Sequence, residues 1–263
     1  MCLAVIALAA HPRFAVVIAA NRDEFHARAA ERAHWWNDDA GCALLAGRDL
    51  AQRGTWLGIN RGGRWAFVTN VREPGRHDPA APSRGALVPR VLRDESSAAA
   101  AVERIAASTH GYNGFNLVGG DSRTATFASN RAPRSQPLRA GISGLSNAGL
   151  DTPWPKLVRA KAGLAKWLSD DSNDLDALFP VLGDRAMAAD AALPDTGISR
   201  ERERLLSSPF IVSDDYGTRC STVVAMSRDG IVHFIERSFD ASGAVTGDVE
   251  FSFRSEAMQY TDD

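Results

Sequence analysis

Cys2 directly follows Met1, and a small second residue permits removal of the methionine, which leaves the cysteine at the N-terminus. Its thiol then sits beside a free α-amino group whose ordinary pKa is about 7.7 to 8.0, close to working pH. One residue thereby supplies both nucleophile and base: the amine takes the thiol proton and later returns it to the leaving group, with no histidine needed. The plainer reading is a small apolar residue that opens a buried strand. The tetrapeptide Asn21-Arg22-Asp23-Glu24 bears on that choice. It follows a second apolar run, and hairpin pairing of the two runs sets it beside Cys2. There an arginine favours thiolate and a carboxylate orients an ammonium, although a charged strand end can equally be a solvated ion pair.

Other chemistries lack their residues. None of the three lysines (Lys156, Lys161, Lys166) follows a glycine, so no P-loop is present, and His-Glu-x-x-His, paired Cys-x-x-Cys and Gly-x-Gly-x-x-Gly are also missing. Gly141-Ile142-Ser143-Gly144-Leu145 lacks the final glycine of a nucleophile elbow. The six histidines show no metal-ligand spacing, and no metal is expected. Cys42 and Cys220 read as packing residues, with Cys220 next to Arg219. Trp35-Trp36 and Trp56 are either cover for the core or the wall of an apolar binding cleft, and Asp214-Asp215 reads as a turn.

The elements that must position these groups follow from hydrophobic periodicity. Cys2 to Ala9 and Phe14 to Ala20 are continuous apolar strands hinged at His11-Pro12-Arg13, followed by a polar stretch from Asn21 to Gly41. Short strands are expected at Ala43 to Leu45, Thr55 to Asn60 and Trp65 to Asn70, the last two joined at Arg61-Gly62-Gly63. A Pro/Gly-rich loop from Val71 to Pro82 leads into two helices within Ser83 to Ala107. Strands resume at Phe115 to Val118, Thr124 to Ala128 and Gly141 to Leu145, before a helix over Pro153 to Leu168 capped by Asp151 or Thr152. After an acidic, partly helical segment from Asp170 to Arg204, strands at Phe210 to Val212, Cys220 to Met226, Ile231 to Glu236 and Val249 to Phe253 close the chain. Strands at both ends with helices between them predict an α+β protein with antiparallel sheets.

The 263 residues, 44% hydrophobic and 24% charged, are enough for one globular domain with a sizeable core, and one domain over 1–263 is expected. A net charge of −2, from 30 basic and 32 acidic residues, supplies no general field for nucleic acid or an anionic membrane. The apolar N-terminus has no positive flank and is broken at His11-Pro12-Arg13, which argues against a signal peptide. Three cysteines at wide spacing fit a reducing compartment, and a cytoplasmic location without an integral membrane segment is expected.

Met1-Cys2, Asn21-Arg22-Asp23-Glu24, Leu45-Ala46-Gly47-Arg48-Asp49, Gly54-Thr55-Trp56-Leu57-Gly58, Thr69-Asn70, Ser83-Arg84-Gly85, Phe115-Asn116-Leu117, Leu145-Ser146-Asn147, Pro153-Trp154-Pro155-Lys156 and Tyr216-Gly217-Thr218-Arg219 together resemble the NRDE family, also named after transport and Golgi organisation protein 2. The resemblance runs nearly end to end. It implies membership of the N-terminal nucleophile hydrolase superfamily and a four-layer αββα sandwich. More distantly, choloylglycine hydrolases and penicillin V acylases also begin Met-Cys, and their Met-Asn-x-x-Gly…Asn segment is similar to Ile59-Asn60-Arg61-Gly62-Gly63 leading to Asn70. By that likeness Cys2 is the nucleophile and Asp23 the carboxylate on its α-amino group. Asn70 and Asn147 are donors flanking the reacting carbonyl, and Arg219 is a nearby guanidinium. The acylases carry Arg-Asn-x-Asp where this chain has Ala20-Asn21-Arg22-Asp23, so the arginine is displaced by two residues, about 7 Å along a strand. Arg22 is therefore either a substrate contact or the ion-pair partner of Asp23 or Glu24. Trp56 and Asn60 join it as candidates for substrate binding.

The functions left open belong to different classes. The first is a cysteine hydrolase cleaving a non-peptide amide or a thioester through an acyl-enzyme at Cys2, without a cofactor. The second, from the family's association with haem trafficking and acyl-CoA homeostasis, is a haem or lipid carrier in which Cys2 is an iron ligand or a strand residue. A structural or interaction protein is the third. A small molecule is the expected partner, and the sequence leaves the oligomeric state open.

Overall fold

The structure, a computed structural model, describes residues 2–36 and 42–256, with the backbone alone at Cys2. Two antiparallel sheets carry the fold. The first has six strands: β1 (Cys2–Leu8), β2 (Phe14–Phe25), β10 (Gly141–Leu145), β11 (Tyr216–Ser227), β12 (Ile231–Phe239) and β13 (Val245–Arg254), in the order β10-β1-β2-β11-β12-β13. The second is a seven-stranded meander: β3 (Ala30–Trp36), β4 (Leu44–Asp49), β5 (Leu57–Asn60), β6 (Trp65–Asn70), β7 (Phe115–Gly120), β8 (Ala125–Ser129) and β9 (Gln136–Pro137).

Because side chains alternate along a strand, each apolar run serves two layers. Ala4, Ile6, Val16 and Ile18 of the first sheet pack against Leu45, Ile59, Trp65 and Phe67 of the second in a central core. The intervening residues Leu3, Val5, Val17 and Ala19 face outward against α3 (Pro155–Ser169) and α4 (Phe179–Leu182). On the other side Leu44, Ala66 and Leu117 meet α1 (Leu87–Leu92) and α2 (Ala98–Ala107). A short α5 (Arg200–Leu205) precedes β11. The result is the four-layer αββα sandwich. Both faces of each central strand are buried, which is why those strands read as continuous apolar runs.

Several elements differ from the sequence reading. β2 does not stop at Ala20 but runs to Phe25, which puts the Asn21–Glu24 tetrapeptide inside the sheet between β1 and β11. Strong partners make this burial tolerable: Asn21 Nδ2 donates to the Leu182 and Pro209 carbonyls, and its Oδ1 accepts from Ser221 Oγ at 2.6 Å. The polar stretch also holds β3, an edge strand whose exposed residues hide its alternation. Phe210 to Val212 forms only an isolated bridge, Val212 to Gly217, because the chain turns back at Ser213. Neither Asp151 nor Thr152 caps α3. Trp154 holds the cap position, Asp151 accepts from the Gly144 amide at 2.8 Å, and Thr152 donates to the Gly149 carbonyl. Among the described residues, no helix is long and apolar enough to cross a membrane.

Candidate active site

β2 delivers Arg22 and Asp23 to opposite faces of the first sheet, and the two meet different layers. Backbone register sets Cys2 opposite Arg22 on one side and Cys220 opposite it on the other. The Cys2 side chain and Met1 lie outside the described residues.

Arg22, 4% exposed, enters the space between the sheets. Its guanidinium stacks 4.4 Å from the Trp56 ring, and its Nη2 donates to Asp49 Oδ2 at 3.4 Å. Asp49 is itself fixed: Oδ2 takes Arg28 Nε at 2.6 Å, and Oδ1 caps the Ala51 and Gln52 amides. Glu24 lies 3.9 Å from Arg22, so the arginine pairs with two carboxylates other than Asp23. Its Nη1 has no hydrogen-bond partner among the described residues.

Asp23 turns toward the helical layer and is 1% exposed. Thr218 Oγ1 donates to Asp23 Oδ1 at 2.7 Å, and Lys156 Nζ, from the first turn of α3, stands 4.0 Å from Oδ2. Burial pushes the Asp23 carboxyl above its ordinary value, while the lysine and the threonine hydrogen bond pull it back. The same ammonium donates to Asn147 Oδ1 at 3.3 Å. Asn147 Nδ2 in turn donates to Asn70 Oδ1 at 3.0 Å and to the Asn70 carbonyl at 3.2 Å. A polar chain Asp23–Lys156–Asn147–Asn70 thus runs from the first sheet, past the start of α3, to the end of β6. The stretch after β10 is held in place for this. Thr69 Oγ1 donates to the Ser146 carbonyl, Asn116 Nδ2 to the Ala148 carbonyl, and the Arg72 amide to the Asn147 carbonyl.

A cleft of about 530 Å³ opens over these strand ends, and Arg22, Asp23, Trp56, Asn70, Arg202 and Tyr216 are among its lining residues. Asn147 stands behind Asn70. Two of the expected residues, Asn60 and Arg219, are not among the residues that line this cleft. Asn60 is buried, with Nδ2 donating to the Leu92 carbonyl and Oδ1 accepting from the Arg64 amide, so it ties the β5–β6 turn to α1. Arg219 sits at a bulge in β11, where Nη1 donates to the Phe25, His26 and Arg28 carbonyls and clasps the β2–β3 turn. Burial and the neighbouring Arg22 hold its pKa below the ordinary value. Lys156 and Asp49 had no role in the sequence reading, although both lie in quoted motifs. A lysine placed directly after the proline that opens a helix was the available signal for the first.

Two sheets face to face between helical layers are the N-terminal nucleophile hydrolase type of fold. The chain is similar in fold to the crystal structure of the C2A mutant of conjugated bile acid hydrolase from Clostridium perfringens, with a TM-score of 0.50 and 10% identity over 98% of each chain. The chain belongs to the family described as Transport and Golgi organisation 2, which it matches over residues 1–241. It is 34% identical to the human Transport and Golgi organization protein 2 homolog, and 31% identical to the Transport and Golgi organization 2 homolog of Mus musculus. Each alignment covers 92% of this chain and 94% of the relative.

Proposed function

We propose that the chain is a cysteine N-terminal nucleophile hydrolase, one catalytic domain that cleaves a non-peptide amide or a thioester in the reducing cytoplasm. The observation that carries this reading is the polar chain that runs from the buried Asp23, Lys156 and Asn147 to Asn70 at the cleft, beside the residue with which Cys2 pairs. The fold, shared with a conjugated bile acid hydrolase, accommodates it.

With Met1 removed, the α-amine of Cys2 takes the thiol proton, and Asp23 accepts a hydrogen bond from the ammonium so formed. The thiolate attacks the substrate carbonyl carbon, a C–S bond forms, and the carbonyl electron pair moves onto oxygen. Asn147 occupies Asn70 Oδ1, so the Asn70 amide has its N–H end for that oxygen. Collapse breaks the C–N bond, and the departing nitrogen takes the proton from the α-ammonium. Water then attacks the thioester and gives its proton to the amine, releasing the acid and the thiolate. Arg22 and Trp56 line the cleft as substrate contacts.

The test is hydrolysis of p-nitrophenyl acetate by the processed protein. Cys2→Ala is expected to abolish the activity, and Asn70→Ala to slow it by about 10²- to 10³-fold. A Cys2→Ala variant that hydrolyses as fast as the wild type contradicts the reading, and haem or acyl-CoA binding by such a protein would reassign it as a carrier.

A further inference from the structure

Lys156 is 1% exposed at the second position of α3, where the positive end of the helix disfavours a cation. The other two lysines stand on the same helix with outward partners, Lys161 on Asp151 and Lys166 on Asp170. Burying an ammonium is expensive unless it is paired, so the placement of Lys156 is tied to what it meets, Asp23 Oδ2 and Asn147 Oδ1.

Its consequence lies in the direction of the hydrogen bonds. An ammonium has three donors and no acceptor, whereas a carboxamide can be turned to present either end. A donor-only group against Asn147 therefore fixes Oδ1 toward the lysine and Nδ2 toward Asn70. Asn70 must then offer Oδ1 to Asn147, and its N–H end is the one turned to the cleft. Ser146 Oγ, 3.3 Å from Asn147 Oδ1, can donate or accept and so cannot set this direction. We infer that Lys156 is a positioning residue that fixes the direction of the Asn147–Asn70 amide chain, so that Asn70 presents a donor rather than an acceptor to the reacting carbonyl. This rests on the hydrolase reading.

Two reactions of Cys2 separate this role from a structural one. Acylation by p-nitrophenyl acetate builds negative charge on a carbonyl oxygen and expels p-nitrophenolate. Alkylation by iodoacetamide displaces iodide at a saturated carbon and develops no such charge. Both rate constants are read by mass spectrometry of the Cys2 peptide, on protein whose fold is checked by circular dichroism. Lys156→Met removes the donor. Lys156→Gln keeps near the length but can accept as well as donate, and it decides the matter if the Met variant does not fold. In both variants the ratio of acylation to alkylation is expected to fall by about tenfold or more, up to the 10²- to 10³-fold typical of losing an oxyanion donor. A purely structural role would slow both reactions together, and an unchanged ratio overturns the inference. A wild-type Cys2 that reacts selectively with neither reagent overturns the hydrolase reading as well, whereas a reactive wild type with unchanged ratios in the variants overturns the role of Lys156 alone.

Discussion

Glu236 and Asp23 are carboxylates in dry surroundings on β12 and β2, the two strands that flank β11, and burial raises the pKa of both above the ordinary values of 4.5 and 3.8. Glu236 bridges the sheets: its Oε1 accepts from the Ala33 amide at 2.7 Å, and its Oε2 from Thr222 Oγ1 at 3.3 Å. A raised folded pKa means that the folded protein holds its proton longer than the unfolded chain. Stability from such a group is full below the ordinary pKa and is lost as pH rises through the folded one. Glu236→Gln imitates the protonated acid, so its melting temperature relative to wild type should climb as the pH rises above the ordinary glutamate value of 4.5. A constant or falling difference in calorimetry would contradict the assignment. The site was legible at this scale only where a residue's chemistry is distinctive. Asp23, Asn70 and Asn147 stood out through the resemblance, but Lys156 reads as an ordinary helix residue until the fold buries it against Asp23. Asn60 and Arg219 fit their motifs and yet spend their hydrogen bonds on the β5–β6 and β2–β3 turns.

α3 carries Lys156, and Leu157 locks that helix onto the first sheet. Leu157 is 1% exposed, packs in the outer apolar cluster, and lies against Gly144, where an added Cβ would stand 2.5 Å from Leu157 Cδ1. Leu157→Ala should cost about 2 to 5 kcal/mol in denaturant melts and lower the acylation rate by letting the start of α3 shift. α5 is tied differently. Glu203 and Arg72 form an ion pair at 2.5 Å with both side chains almost fully buried, and the Arg72 amide is what holds the Asn147 carbonyl. Glu203→Ala leaves a buried guanidinium and should cost about 3 to 5 kcal/mol, whereas Lys166→Ala, at an exposed i,i+4 pair, should cost no more than about 0.5 kcal/mol. Equal costs for the two in urea melts would refute the contrast. Sequence periodicity located the strands whose alternation is apolar, such as β1 and β6. It stopped β2 five residues short of Phe25, because the burial of polar residues there depends on partners distant in sequence, Leu182, Pro209 and Ser221.

For the molecule as a whole, strands at both ends of the chain with helices between them were enough to expect antiparallel sheets and helical cover. Sheet order was not legible, since β10 joins β1 and β11 joins β2 across more than a hundred residues of intervening chain. That closure has a functional consequence. It gathers the N-terminal strand, the tetrapeptide on β2 and Thr218 of β11 at one end of the sandwich, under the same cleft as Asn70. In the proposed reading Cys2 is the N-terminal nucleophile there. Intact-protein mass spectrometry of the untagged chain, before and after a brief sub-stoichiometric iodoacetamide pulse near neutral pH, tests it most directly. Loss of Met1 and alkylation of the Cys2 peptide ahead of Cys42 and Cys220 are the expected result. Retained Met1, or a Cys2 that labels no faster than the other two cysteines, would contradict it.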